Sequence, residues 1–163
     1  MNIFVLDLDP KTCAQYHCDK HVVKMIVETA QLLSTAHHIN GSQLASNDGS
    51  GLLYKKTHEN HPCAIWARQS KENYQWLCRL GINLCSEYCA RYGKVHKTEA
   101  LINLLCAYLP VSFPEIGLKE FKQCMPVNYH DEDVTLAYKS YYIGEKSNIL
   151  QYKNGLPNFL KNL

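Results

Sequence analysis

The 163-residue chain has no run of about 20 apolar residues, the length that a membrane-spanning helix needs. Its opening, MNIFVLDLDP, has neither a basic flank nor an apolar stretch of signal length, so the expected compartment is the cytoplasm of a bacterial or infected host cell. Among eight cysteines no Cys-X-X-Cys pair occurs, which argues against a zinc knuckle. In a reducing compartment these cysteines are expected to be free thiols acting as small hydrophobes, with Cys78, Cys85 and Cys89 on one helical face. Charge of one sign is scarce as well. A net charge of +2 excludes a strongly cationic nucleic-acid binder, so any basic surface has to be a local cluster. Internal repeats and low-complexity tracts are absent, and no cofactor or metal is expected.

What is present is an ordinary globular balance, 46% hydrophobic and 20% charged, on a length that suits one domain over 1–163. The periodicity predicts an all-α fold, a compact bundle of about five helices preceded by a short extended segment at Ile3–Leu8. Asp9-Pro10 opens a brief helix to about His17. A long amphipathic helix starts at Asp19 and ends at the dipole-compatible His37 and His38. The Gly-, Ser- and Asn-rich stretch 39–60 is long for a helix connection, and such loops commonly serve as functional lids. Asn60 is placed to cap a helix from Pro62 to about Gln69, and Ser70 to cap the next, which stops at Gly93. Another helix runs from Thr98-Glu99 to about Leu109. An irregular segment with Pro110, Pro114 and Pro126 covers 110–130, and a last helix, capped from Asp131–Asp133, halts at Gly144. The tail 146–163 is expected on the surface.

Three constellations carry possible chemistry. Lys20, Lys24, Glu28 and Gln31 are spaced to line one helix face. The plain interpretation is a solvated stripe with a Lys24–Glu28 pair. The alternative is an active-site wall, in which an amine close to another cation becomes nucleophilic at neutral pH. The second group is His58, Asn60, His61, Pro62, Trp66 and Arg68, where an imidazole at a helix N-terminus suits a phosphate contact. The third is the turn from Arg91 to Lys97, in which Arg91, Lys94 and Lys97 offer cations to a phosphate backbone. Tyr138, Tyr141 and Tyr142, at helical spacing, are expected to pack a core rather than to stack on bases.

Two segments together are more specific. Asp19-Lys20-His21-Val22-Val23-Lys24-Met25-Ile26-Val27-Glu28-Thr29-Ala30-Gln31-Leu32-Leu33 resembles a D-K-R-L-x-K-Q-x-x-E-x-x-Q-I-L motif, and Asn60-His61-Pro62-Cys63-Ala64-Ile65-Trp66 resembles N-H-P-x-x-x-W. In this order the pair resembles the pyrimidine-dimer DNA glycosylase/endonuclease V family, including its phage and bacterial branch, over roughly Met1 to Tyr92. The resemblance implies a compact helical fold and an N-terminal α-amine that attacks deoxyribose C1′ of a damaged pyrimidine. A glutamate on an early helix assists the Schiff-base chemistry. An α-amino group suits the task because it titrates near pH 8. The chain departs from the family at Asn2, whose bulk leaves Met1 in place where the family exposes a small residue. Hand alignment sets the family glutamate on or beside Lys20, with Glu28 the next carboxylate two turns on.

The expectation is a DNA-base-acting enzyme of glycosylase/AP-lyase type. Lys20, Lys24, Glu28 and His61 form its reacting group, with a lysine preferred over Met1 as nucleophile. Gln31, Asn60, Arg68, Arg91, Lys94 and Lys97 are assigned to nucleic acid. A nucleotide- or base-modifying phage enzyme and a non-catalytic nucleic-acid or protein-binding module are the alternatives.

Overall fold

A computed structural model describes residues 1–44 and 51–161. Residues 45–50, in the middle of the stretch read as a lid, lie outside it. Among the described residues the chain forms six α-helices: α1 Pro10–Tyr16, α2 Asp19–Asn40, α3 Pro62–Gln69, α4 Lys71–Tyr92, α5 Glu99–Ala107 and α6 Val134–Glu145. The fold is all-α. The extended N-terminal segment pairs with no strand, and the one β-type contact described is an isolated bridge between Ser70 and Glu115. No described helix is long and apolar enough to cross a membrane.

Local chemistry sets most boundaries. Asp9 accepts from Thr12 N–H with Pro10 at the first helical position, Ser70 accepts from Asn73 N–H, and Gly93 closes α4 in the left-handed conformation. Asp133 caps α6 through Thr135 and Leu136. At α3 the cap is the His61 side chain, which accepts from Cys63 N–H, in place of the expected Asn60. Nor does Gly144 halt α6. It is the last helical residue but one, and Tyr129 lies against it, where a Cβ would collide with the phenol.

Helix α4 is the hub, packing on α1, α2, α3 and α5, while α2 also meets α3 and α5. The bundle closes tightly where a Cβ on Gly81 would come within 3.0 Å of Thr29 and 3.3 Å of Ile102. Ile3–Leu6 thread into this core, and Phe4 sits among His17, His21, Tyr138, Tyr141 and Tyr142. Tyr138 and Tyr142 are buried core residues, as their spacing predicts. The irregular segment crosses α3 and α4 as a strap: Lys119 N–H donates to Asn73 Oδ1, Trp66 Nε1 donates to Lys119 O, and Phe121 packs on Trp66 and Trp76. The tail from Lys146 is not merely superficial. Lys153 N–H donates to the Asp19 carboxylate, Tyr152 O–H to Tyr16 O, and Pro157 and Leu160 are buried.

Arg91 turns away from the charged turn in which the sequence places it. Its side chain is 2% exposed and pairs with Asp19 at 3.1 Å and Glu87 at 2.9 Å. Further donors go to the carbonyls of His17 and Gln15. It therefore ties α4 to the α1–α2 corner and has no face left for a phosphate. Removing one member of a buried ion pair strands the others, so Arg91→Ala should cost about 3–5 kcal/mol in urea unfolding. Lys94→Ala, on the exposed turn, should stay within about 0.5 kcal/mol. An Arg91→Ala midpoint equal to wild type would return Arg91 to the surface.

Three buried histidines make the fold acid-sensitive. Burial pushes His17 down to about 4, helped by the nearby Arg91. Burial likewise lowers His21 to about 3, with His17, Lys146 and Lys24 adding repulsion, and lowers His37 to about 4. Tyr74 gives its proton to Leu105 O, so His37 Nε2 donates to Tyr74 and its Nδ1 accepts from Ser42, a neutral tautomer. All three have folded pKa values below the ordinary 6.5, so the unfolded chain binds more protons between pH 6.5 and about 4. Their contribution is complete above that window and is lost as pH falls through it. Unfolding free energy measured across pH 4–7 should drop with acid, with uptake of up to about three protons from these groups. A flat profile would contradict neutral burial.

Candidate active site

Glu28 lies on the buried face of α2 and is 9% exposed, an unusual place for a carboxylate unless it is compensated. The compensation comes from amines and an amide. Its Oε2 accepts from Asn2 N–H at 3.1 Å and faces the Met1 ammonium at 3.8 Å, while Oε1 pairs with Lys24 Nζ at 3.3 Å. The two residues differ in setting: Met1 is half-buried with its side chain packed inside, whereas the Lys24 side chain is 66% exposed. Lys20 is exposed on the same helix.

Asn2 fixes the terminus. Its Oδ1 accepts from Ile3 N–H at 2.8 Å and Tyr138 O–H at 2.9 Å, and its Nδ2 donates to Cys124 O at 2.9 Å. The polar side chain therefore hooks the first residues between α6 and the strap, and the apolar Ile3–Leu6 pull the segment into the core. The result holds the Met1 nitrogen over Glu28.

His61 lies close enough to the Met1 amine and Glu28 to feel both charges. Its imidazole is held below its ordinary range, first by burial and then by the Met1 ammonium and His58, with Glu28 pulling the other way. The loop before it is shaped by His58, which adopts a positive φ of 47°, and by Arg68, whose Nη1 donates to Glu59 O at 2.8 Å. Burial lowers the Arg68 guanidinium, offset by Glu59. Behind His61 stand Cys63 and Cys124, their sulfurs 3.5 Å apart and Cys63 Sγ 3.6 Å from Asn2 Oδ1.

Of the residues singled out from sequence, Glu28, Lys24 and His61 thus gather round the Met1 nitrogen. Gln31 is half-buried one turn beyond Glu28, and Asn60 is exposed next to His61. Lys94 and Lys97 are exposed on the turn after α4. Asn2, Tyr138, Cys63 and Cys124 were not assigned to the site from sequence: Asn2 stood out only for keeping Met1 in place, Tyr138 as a core residue, and Cys124 comes from a sequence-distant segment.

The carboxylate site is distinct from a neighbouring cleft of about 290 Å³ lined by Gln15, Tyr16, Glu87, Arg91, Asn154 and Asn158. A carboxylate flanked by two amines and an imidazole can accept and return protons beside an amine nucleophile.

No curated protein and no solved structure matches the chain. A family match does exist, to the family described as Pyrimidine dimer DNA glycosylase, over residues 1–100. That span carries the N-terminal segment, α1 to α4 and the whole Met1–Lys24–Glu28–His61 group, and it covers more than half of the sequence. The chain belongs to the pyrimidine dimer DNA glycosylase family, whose substrate is DNA.

Proposed function

We propose that the chain excises a pyrimidine-dimer base from DNA with the Met1 α-amine as nucleophile, and that Glu28 carries protons for that amine and for the AP-lyase step that follows. The observation that carries this reading is the Met1–Glu28 pair, 3.8 Å apart on a buried carboxylate, with Asn2 N–H on the same oxygen. It shifts preference from the lysines to Met1, because the Met1 nitrogen is held in place and Lys24 projects into solvent.

The neutral amine forms a bond to C1′ as the C1′–N glycosidic bond breaks, and the base departs with that electron pair and gains a proton. Glu28 takes the amine proton and returns it to O4′ as the C1′–O4′ bond breaks, which leaves an iminium at C1′ and Glu28 again able to accept a proton. Removal of a C2′ proton then expels the 3′ phosphate, and water releases the amine. Lys24 pairs with Glu28 from the solvent side. A duplex whose damaged nucleotides unstack at reduced cost is the substrate this chemistry favours. His61, at the N-terminus of α3, together with Gln31, Asn60, Arg68, Lys94 and Lys97, supplies the surface for DNA.

Borohydride trapping on a duplex carrying a cyclobutane pyrimidine dimer tests the nucleophile. Wild type should become covalently linked. Glu28→Gln should slow base release by about 10²–10⁴-fold while still binding the duplex. A chain carrying an extra residue before Met1 should not trap. Lys20→Arg and Lys24→Arg keep the charge and should still trap. Trapping by the extended chain, together with its loss in Lys24→Arg, would make Lys24 the nucleophile instead.

DNA affinity should also depend on salt through the turn after α4. Removing Lys94 or Lys97 should flatten the slope of log K against log salt by roughly one unit each if each meets a phosphate. Unchanged slopes in both variants would move the DNA to another face.

A further inference from the structure

We propose that His61, Cys63 and Cys124 form a binding site for a zinc-class cation, with water as the fourth ligand. One ligand atom from each of these three residues lies within 4.8 Å of the others, and this is the one such group of three donors among the described residues. The two sulfurs are 3.5 Å apart. Zinc takes Cys and His donors at about 2.0–2.3 Å in tetrahedral geometry, so donors spaced this way need only small side-chain shifts to close on an ion.

The donors come from three places in the fold. His61 caps α3, Cys63 lies in that helix's first turn, and Cys124 belongs to the strap. Cys63 is buried, whereas His61 and Cys124 are half-buried, leaving an entry path from solvent. Asn2 borders the site but is unsuited as fourth ligand, because its Oδ1 already accepts from Ile3 N–H and Tyr138 O–H. Water is the donor that remains.

Packing as three small side chains is the simple alternative, and the second thiol pair provides the contrast. Cys78 and Cys106 are close enough for one thiol to hydrogen-bond the other, yet no imidazole or third thiol joins them in a donor group. A bound ion at His61–Cys63–Cys124 would staple the strap to α3 beside Asn2, the residue that holds Met1 at Glu28. The proposal stands apart from the glycosylase reading, since it concerns metal binding by the folded chain whether or not an amine reacts.

The test uses the untagged full chain, reduced with a phosphine under nitrogen, and titrated with Co²⁺ and then Zn²⁺. Expected are one Co²⁺ per chain, thiolate-to-cobalt absorption with tetrahedral d–d bands, displacement of both by Zn²⁺, and a raised thermal midpoint with Zn²⁺. Cys63→Ser/Cys124→Ser should lose the bands, and Cys78→Ser/Cys106→Ser should keep them. His61→Ala, which retains both thiols, should weaken binding at least about tenfold. Circular dichroism checks that each variant is folded. No thiolate absorption in the folded wild type overturns the site, as does loss of the bands only with Cys78 and Cys106.

Discussion

A carboxylate on the apolar face of a helix has to be met by cations or N–H donors, and much of this molecule is arranged around meeting that need at Glu28. Burying it uncompensated would cost several kcal/mol. The chain answers by folding its own beginning inward. Asn2 N–H and the Met1 ammonium face one carboxylate oxygen, and Lys24 faces the other from the surface. The N-terminal segment can follow this route only because Ile3–Leu6 are apolar enough to lie in the core. It also needs Asn2, whose side chain finds partners on α6 and on the strap. Site and core are therefore one construction, and the elements outside the family-matched span help to build it.

The same logic of paired burial separates structural from functional charge. Arg91 and Glu28 are both buried and both ion-paired. Arg91, however, meets two carboxylates and two backbone carbonyls, which satisfies a guanidinium internally. Glu28 instead draws an amine to the edge of solvent, where a substrate can reach it. The difference is one of partners rather than burial, and it sets Arg91 in the scaffold and makes Glu28 the centre of the candidate site.

His61 links the Met1–Glu28 group to the thiols. As the cap of α3 its ring is fixed by the backbone, and from that position it feels the Met1 ammonium on one side and adjoins Cys63 and Cys124 on the other. A residue with two neighbourhoods is economical in a chain of 163 residues, where one turn of helix has to serve capping, charge and ligation.

Helix character, the Asp9, Ser70 and Asp133 caps, the Gly93 stop and the burial of Tyr138 and Tyr142 were legible in the sequence. Each follows from periodicity or from a hydrogen bond spanning a few residues. The family likeness was legible too, because its motifs are local runs on α2 and α3. Other features depended on contacts across long sequence separations, and there local rules have no purchase. Gly144 reads as a stop until Tyr129 packs on it, and Asn60 reads as a cap until His61 turns back to do the work. Arg91 reads as part of a basic turn until the α1–α2 corner offers it carboxylates. Above all, spacing along α2 placed Lys20, Lys24 and Glu28 on one face but could not say that Met1 arrives there. That depends on burying four apolar residues and satisfying one asparagine, with partners 122 and 136 positions away.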